Sequence, residues 1–238
     1  MRIAQTLLLL VALAVIPNAQ VNAETPKSMM FELRTEFYNP EIDSAFESAT
    51  PYEDAFGTDF MWGLGAYVDY QLLRDYGSLA IGAGIAYNSI TGEAVEAESD
   101  DETSLYMMPM TLGLTYRFDM LAQRWSIPIV PYAKAGLTCA LWWVTNGKGE
   151  IANTRNPNSP YEERTGWSTT FGFYYGGGVQ FLLDVFSHRM ATTMDSEMGV
   201  NNSYLFVEYL RHSLNDFGSA ESIELSSDGV SFGLMFEF

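Results

Sequence analysis

The sequence predicts an all-β protein, a closed antiparallel transmembrane β-barrel with eight strands in meander order. Three observations support this fold class. Segments of roughly ten residues with one apolar face recur along the chain, as in strands that cross a bilayer. Their connections differ in length, and the chain ends on a strand whose alternate residues are apolar as far as Phe238. A ten-strand barrel stays open as an alternative, because short strands give weak sequence signals.

Eight segments carry the alternating pattern. They are 31–38, 60–72, 79–87, 106–118, 129–143, 171–183, 204–213 and 229–238. The strands of a soluble β-sandwich also alternate apolar and polar residues, so two further features decide between a sandwich and a membrane barrel. The apolar faces end in Tyr, Trp and Phe, as aromatic girdles do. The opposite faces are rich in Gly, Ala and Thr, which suit the narrow interior of a small closed barrel.

The N-terminus has the layout of a secretory signal peptide. Arg2 precedes the apolar run 7–16, Pro17 ends that run, and small residues lead to Ala23. The run is too short to cross a membrane comfortably as a helix. We therefore predict a signal peptide over 1–23 and a barrel domain over 24–238.

The connections predict which end of the barrel faces the periplasm. Those at 74–78 and 119–126 are short, whereas those at 39–58, 88–104, 145–167 and 213–228 are long and polar. Outer-membrane barrels have short periplasmic turns and long external loops. The connection 184–203 breaks this rule, because it is long, is predicted to be periplasmic and has room for a helical turn.

The alternating pattern of the last strand explains its aromatic final residue. Phe238, Phe236 and Leu234 share one face with other apolar residues. This ending resembles the C-terminal signature of outer-membrane β-barrels. The resemblance implies that the barrel-assembly machinery reads these residues and that the protein lies in the cell outer membrane.

A second resemblance lies at Met194–Asp216, "MDSEMGVNNSYLFVEYLRHSLND". An acidic, Gly-containing turn is followed by Asn, an aromatic-rich strand and a Glu. The segment is similar to a family of small bacterial outer-membrane β-barrel proteins. This resemblance implies a fold and a location but no activity, and its expected partners are outer-membrane lipid and lipopolysaccharide.

The inward faces carry a cluster of charged and titratable residues. Its members are Glu32, Arg34, Glu36, Asp69, Arg117, Lys134, Glu208 and His212. Buried charges are costly unless they are paired, and acids and bases are nearly balanced here. We interpret the cluster as a salt-bridge network that closes the interior. A narrow or gated channel for ions or small solutes is the alternative, although eight strands leave little room for a permanent pore.

The predicted external loops are acidic, in keeping with a formal net charge of −18 for the chain. This charge argues against nucleic acid as a partner. One acidic run could hold cations weakly, at Glu93, Glu96, Glu98, Asp100, Asp101 and Glu102. It lacks the ligand spacing and the glycine of an EF-hand loop, so we predict no defined metal site and no cofactor.

An enzyme is the least favoured class. The pair His212 and Ser213 resembles the His and Ser of a lipid A deacylase barrel, but adjacent strand residues point to opposite faces. We predict no catalytic residue. Cys139 is predicted to face outward as a small apolar residue that fills space. Arg211 is predicted to extend its charged end toward the lipid headgroups at the external rim. The predicted role is structural, or one of interaction or adhesion through the external loops.

Overall fold

The computed structural model describes residues 28–57, 60–74, 76–93, 102–125, 127–156, 159–186, 188–219 and 222–238. The predicted signal peptide lies outside these residues. The strands are β1 (Met29–Tyr38), β2 (Met61–Leu73), β3 (Ser78–Glu93), β4 (Glu102–Arg117), β5 (Ile129–Thr145), β6 (Asn153–Asn156), β7 (Ser159–Thr165), β8 (Trp167–Leu182), β9 (Asn202–Leu214) and β10 (Ser227–Glu237). The helices are α1 (Pro51–Phe56), α2 (Met120–Trp125) and α3 (His188–Met198), with 3-10 turns at Ile42–Ala45 and Leu183–Val185.

Eight of these strands form a closed barrel in the order β1-β10-β9-β8-β5-β4-β3-β2, with β2 pairing back to β1. Every pair in the wall is antiparallel, and the closing pair runs from Met30 opposite Glu237 to Phe37 opposite Val230. The predicted eight-strand meander is thus confirmed, and the ten-strand alternative is wrong. Strands β6 and β7 form a separate hairpin between β5 and β8.

The outer face of the wall is apolar around its whole circumference. Large side chains with about half of their surface exposed point outward from every strand of the barrel; examples are Leu33, Leu64, Ile81, Leu112, Leu137, Phe173, Val207 and Phe232. Such a surface is unfavourable in water but suits the hydrocarbon of a bilayer. Among the described residues, none of the helices is long and apolar enough to span a membrane.

The inner face alternates large and small side chains on neighbouring strands. Tyr67 of β2 is 5% exposed and lies over Gly84 of β3, where an added Cβ would be only 2.4 Å from the Tyr67 ring. Asp69 lies over Gly82 in the same way, with its Oδ1 2.0 Å from such a Cβ. Glycines on one strand therefore make the space that large side chains of the next strand fill.

The two ends of the barrel differ. The turn end is where β1 begins and β10 ends, and it carries the connections 74–77, 118–128 and 183–201. The loop end carries the connections 39–60, 94–101, 146–166 and 215–226. The exceptional connection 183–201 lies at the turn end, and it contains a 3-10 turn and the whole of α3, more than the single helical turn that the sequence suggested.

Some predicted loops are partly strand. The predicted loop 88–104 is wrong at both ends, because β3 continues to Glu93 and β4 begins at Glu102. These strands stay paired since Ile90 and Leu105 face each other and pack into an apolar cluster at the loop end. The predicted loop 145–167 contains the β6–β7 hairpin, and β8 begins at Trp167 rather than at 171.

The close approach of Tyr67 to Gly84 predicts a cost for any side chain there. Gly84→Ala should lower the free energy of unfolding by about 1–3 kcal/mol, because the Tyr67 ring must move away from its site. Ala83→Val is the matched control, since Ala83 is exposed on the outer face and should change stability by less than about 0.5 kcal/mol. Urea unfolding of the reconstituted barrel measures both, and equal effects would contradict this packing.

Candidate functional site: the barrel interior

All eight charged or titratable residues predicted for the interior lie on the inner face of the wall. Glu36 is half-buried and the others are buried; the set is Glu32, Arg34, Glu36, Asp69, Arg117, Lys134, Glu208 and His212. They do not form one cluster. The structure separates them into a central network, a second network at the turn end, and a polar layer toward the loop end.

The central network consists of Glu32, Arg34, Lys134 and Glu208. The Arg34 guanidinium binds both carboxylates, and Lys134 Nζ lies 2.8 Å from Glu32 Oε2 and 3.3 Å from Glu208 Oε2. Two cations and two anions therefore alternate in a ring that joins β1, β5 and β9 across the interior. The Arg34 guanidinium also lies 3.8 Å from the centre of the Tyr67 ring. The pairing offsets the high cost of burying these charges.

Asp69 lies beside the central network without joining its ring of ion pairs. Thr115 Oγ1 donates a hydrogen bond of 3.0 Å to Asp69 Oδ1. Asp69 and Thr115 come from β2 and β4, and β3 lies between them with only Gly82 and its small neighbours on the inner face. The glycine gap in β3 thus allows two strands that are not neighbours to contact each other.

Arg117 belongs to a turn-end network that the charge pattern alone did not group correctly. Its Nη1 lies 3.3 Å from Glu237 Oε1, and its Nε donates to Gln180 Oε1 at 2.8 Å. Glu237 also accepts hydrogen bonds of 2.7 Å from Gln71 Nε2 and Asn202 Nδ2. The penultimate residue of the chain is therefore bound to β2, β4 and β9.

Sequence reasoning missed Glu237 as a site residue although a signal was present. The alternation of the last strand places Glu237 opposite the lipid face that Phe236 and Phe238 define. An acid at an inward position of that strand could have been counted with the other interior charges. Nearby, Asp119 lies in the connection after β4, where burial raises the pKa of its carboxyl and Arg117 opposes that rise.

His212 and Glu36 form the polar layer toward the loop end. The His212 ring is 5.7 Å from the ring of Tyr38 and 5.8 Å from that of Tyr174. Glu36 accepts a hydrogen bond of 2.8 Å from Asn88 Nδ2. Ser213 pairs with the outward Phe173, so it lies on the opposite face of the wall from the His212 ring.

Apolar clusters lie on both sides of the central network, and the turn-end one lies at the level of the Arg117–Glu237 network, since Met30 pairs with Glu237 and Val130 with Gln180. The loop-end cluster contains Tyr38, Tyr52, Met61, Leu105, Met107, Ala140, Leu214 and Leu225. The turn-end cluster contains Met30, Ala80, Val130, Tyr132, Tyr204, Phe206 and Met235. Tyr52 comes from α1, so the β1–β2 connection supplies a side chain to the interior. The sequence predicted a closed interior, with a narrow channel as the alternative, but it did not predict these two apolar clusters.

Two predictions for the outside of the barrel are wrong. Arg211 does not reach freely toward headgroups, because it binds both carboxylate oxygens of Glu41 and lies 3.4 Å from Asp228. The β1–β2 connection folds over the rim and brings Glu41 to it. The assignment of Glu93 and Glu102 to a loop is wrong, because they face each other as a strand pair, while weak cation binding by this run stays a prediction.

The remaining predicted positions are placed as follows. Glu96, Glu98, Asp100 and Asp101 lie outside the described residues. The described residues contain no group of three or more His, Cys, Asp or Glu that could hold a metal ion. Cys139 is half-buried between the outward residues Met110 and Phe171. Leu234 and Phe236 point outward.

Phe238 is tied into the first strand through its backbone. Its carbonyl accepts hydrogen bonds from the N–H groups of Ser28 at 2.7 Å and Met29 at 3.2 Å. Its own N–H donates to the Met29 carbonyl at 2.8 Å. Recognition of Phe238, Phe236 and Leu234 by the assembly machinery stays a prediction.

A closed β-wall with an apolar outer face and a filled, charged interior defines an integral membrane β-barrel. The family model for the outer membrane protein beta-barrel domain matches residues 6–238, and the chain belongs to that family. The protein therefore lies in the cell outer membrane, as the final strand and the segment Met194–Asp216 predicted.

The chain is similar to several solved structures, of which the first has a TM-score high enough to support the fold. Neisserial surface protein A is 13% identical, with 91% of this chain and 100% of that chain covered and a TM-score of 0.50. OprG from Pseudomonas aeruginosa is 12% identical over 92% and 99% of the two chains, with a TM-score of 0.47. Ail of Yersinia pestis, solved with the heparin analogue sucrose octasulfate, is 12% identical over 89% and 97%, with a TM-score of 0.44. No curated protein sequence matches the chain.

The central network predicts a large effect from removing one cation. Arg34→Met leaves the buried carboxylates of Glu32 and Glu208 with Lys134 alone, so the free energy of unfolding should fall by about 3–5 kcal/mol. The double variant Arg34→Met with Glu208→Gln restores the charge balance and should recover part of that loss. Arg211→Met, at the partly exposed rim, should cost about 1 kcal/mol or less. Equal losses for the two arginines in urea unfolding would contradict the network.

The turn-end network predicts that Glu237 stabilises the closed barrel. Glu237→Gln removes the counter-charge of Arg117 and places an amide donor among donors, so unfolding should become easier by about 3–5 kcal/mol. Glu47→Gln, at an exposed position of the β1–β2 connection, should have almost no effect. Gel electrophoresis of samples heated to a series of temperatures measures both variants, because the band of the folded protein disappears at the temperature where the barrel unfolds. An unchanged temperature for Glu237→Gln would show that these contacts contribute little.

Proposed function

We propose that the protein is a non-conducting outer-membrane barrel that holds acidic external segments rigidly for a structural or interaction role. The observation that carries this proposal is the filled interior. The loop-end cluster, the central network and, at the turn end, the turn-end cluster together with the Arg117–Glu237 network occupy the lumen in succession, so an ion would have to displace packed apolar side chains and paired charges.

The shape of the wall supports the display part of the proposal. β3, β4, β5 and β8 have 16 or 17 residues, whereas β1 has 10 and β10 has 11. Roughly 9–11 residues suffice to cross a bilayer at the usual tilt. The four long strands therefore continue beyond the membrane as a folded sheet at the loop end, which the proposal places outside the cell.

The β1–β2 connection packs against this sheet. An added Cβ at Gly92 of β3 would lie 1.9 Å from the carbonyl oxygen of Ala55 in α1, so the helix sits directly on the strand. The Asp43 carboxylate accepts hydrogen bonds from the backbone N–H groups of Tyr52 and Glu53, which begin α1. The acidic connection is thus held in a defined conformation rather than left as a free loop.

Catalysis is not part of the proposal. The His212 ring lies between the rings of Tyr38 and Tyr174 in the interior. Ser213 points to the other side of the wall, so the pair lacks the hydrogen-bond contact that a nucleophile and its base need.

Planar-bilayer recordings test the proposal. The purified barrel should give no steady, stepwise currents, because packed apolar side chains and paired charges fill the lumen. A known porin reconstituted under the same salt and voltage is the positive control. Reproducible unitary steps from the folded barrel, absent from a heat-unfolded sample of the same preparation, would overturn the closed interior and favour the channel.

A further inference from the structure

We propose that the long connection at the turn end is a membrane contact, in which Phe186 and one face of α3 bind the phospholipid headgroup region of the adjacent leaflet. The partner that we propose for this surface is therefore a lipid leaflet. The proposal concerns the connection 183–201, whose length breaks the rule of short turns and which the closed interior does not explain.

The start of this connection turns onto the outer face of the wall. The Phe186 ring lies 5.8 Å from the ring of Phe181, and Phe186 itself is 76% exposed. Phe181 stands between Ile129 and Leu205 in the strand register, and both of these point outward into the apolar belt. Phe186 therefore extends the lipid-facing surface beyond the end of β8. An aromatic ring in that position suits the membrane interface, where one side is apolar and the other wet.

Both ends of the connection are fixed to the rim, which keeps α3 close to the membrane. The Asp184 carboxylate accepts a hydrogen bond of 3.3 Å from the Ser203 N–H, which joins the two ends of the connection. The Asn201 N–H donates to the Glu237 carbonyl at 2.7 Å, and Val200 is buried. The helix is thus held at the level of the rim rather than carried away from it.

The helix itself has an apolar face that stays partly exposed. Met194 and Met198 are one turn apart and share a face, and Met198 is 64% exposed. Thr192 and Ser196 lie on the opposite face. None of the side chains described over 192–198 is buried. An eleven-residue helix is marginal in water without packing, so a surface against the methionine face would stabilise it.

The helix α3 ends at a glycine cap. Gly199 has a φ of 70°, and its N–H donates to the Asp195 carbonyl at 3.0 Å. The Val200 N–H reaches back to the Met194 carbonyl at 3.3 Å. The Gly199 bond is that of the αL motif, in which a glycine in the left-handed conformation ends the helix, and the chain then continues into β9.

Lipid is favoured over a protein partner because the exposed surface continues the belt. Phe186 contacts Phe181 on the face that already lies in the membrane, so a lipid leaflet covers it without any further recognition. A protein would have to bind at the rim while Phe186 stayed in lipid.

Spin-label accessibility in vesicles tests the proposal. In a Cys139→Ala background, a nitroxide is attached at Phe186→Cys, Met198→Cys or Ser196→Cys, and the barrel is folded into phosphatidylethanolamine and phosphatidylglycerol vesicles. Labels at Phe186 and Met198 should collide several-fold more often with oxygen, which concentrates in lipid, than with a water-soluble nickel complex. The label at Ser196 should show the opposite preference.

Each outcome is decisive once gel mobility shows that the variant is folded. If the labels at Phe186 and Met198 are as open to the nickel complex as the label at Ser196, the membrane contact is wrong. If they become protected only when a periplasmic extract is added, the surface binds a protein and the proposal is also overturned. A lipid preference at Phe186 but not at Met198 would overturn the role of α3.

Discussion

The structure depends on one constraint: backbone N–H and C=O groups of a wall that lies in hydrocarbon must bond to each other. Lipid offers them no partners, so a sheet edge in the membrane would leave several costly unpaired groups. The pairing of β1 with β10 removes that edge. It also explains why the last residues matter so much, because the Phe238 backbone completes the ladder to Met29 while Phe236 and Glu237 point to opposite sides of the wall.

Closure creates a second requirement, which is to fill a narrow interior without strain. Neighbouring strands meet it by placing glycine on one strand where the next carries a ring or a carboxylate, as Gly84 does for Tyr67. Interior charges are tolerated because each cation of the central network contacts two anions. Apolar layers on both sides then exclude water from these pairs, which strengthens them and makes the loss of one partner expensive.

The sequence predicted the fold well and the contacts within it poorly, and the reason is geometric. Alternation tells which side of the wall a residue faces, and this was enough to place Arg34, Lys134 and Arg117 inside. It does not tell the height of a residue in the barrel, which depends on the stagger between strands. Lys134 pairs in register with Thr115, so Arg117 lies one inward position nearer the turn end and meets Glu237 instead.

The sequence also did not show how far each strand of the wall extends at the loop end. Polar residues such as those around Thr91 and Ser104 suggested a loop, yet they lie opposite each other in paired strands and join through their hydroxyl groups.

The unequal heights of the strands give the barrel two different sides at its loop end. On the tall side β3, β4, β5 and β8 extend further, and on the low side β9, β10, β1 and β2 stop earlier. A low rim alone would leave the loop-end cluster open to water. The β1–β2 connection covers it, with Tyr52 inserted from above, Gly92 of the tall side supporting α1, and Arg211 of the low side binding Glu41. The same segment thus carries acidic side chains outward and apolar ones inward, so the closure of the interior and the external surface are built from one piece of chain.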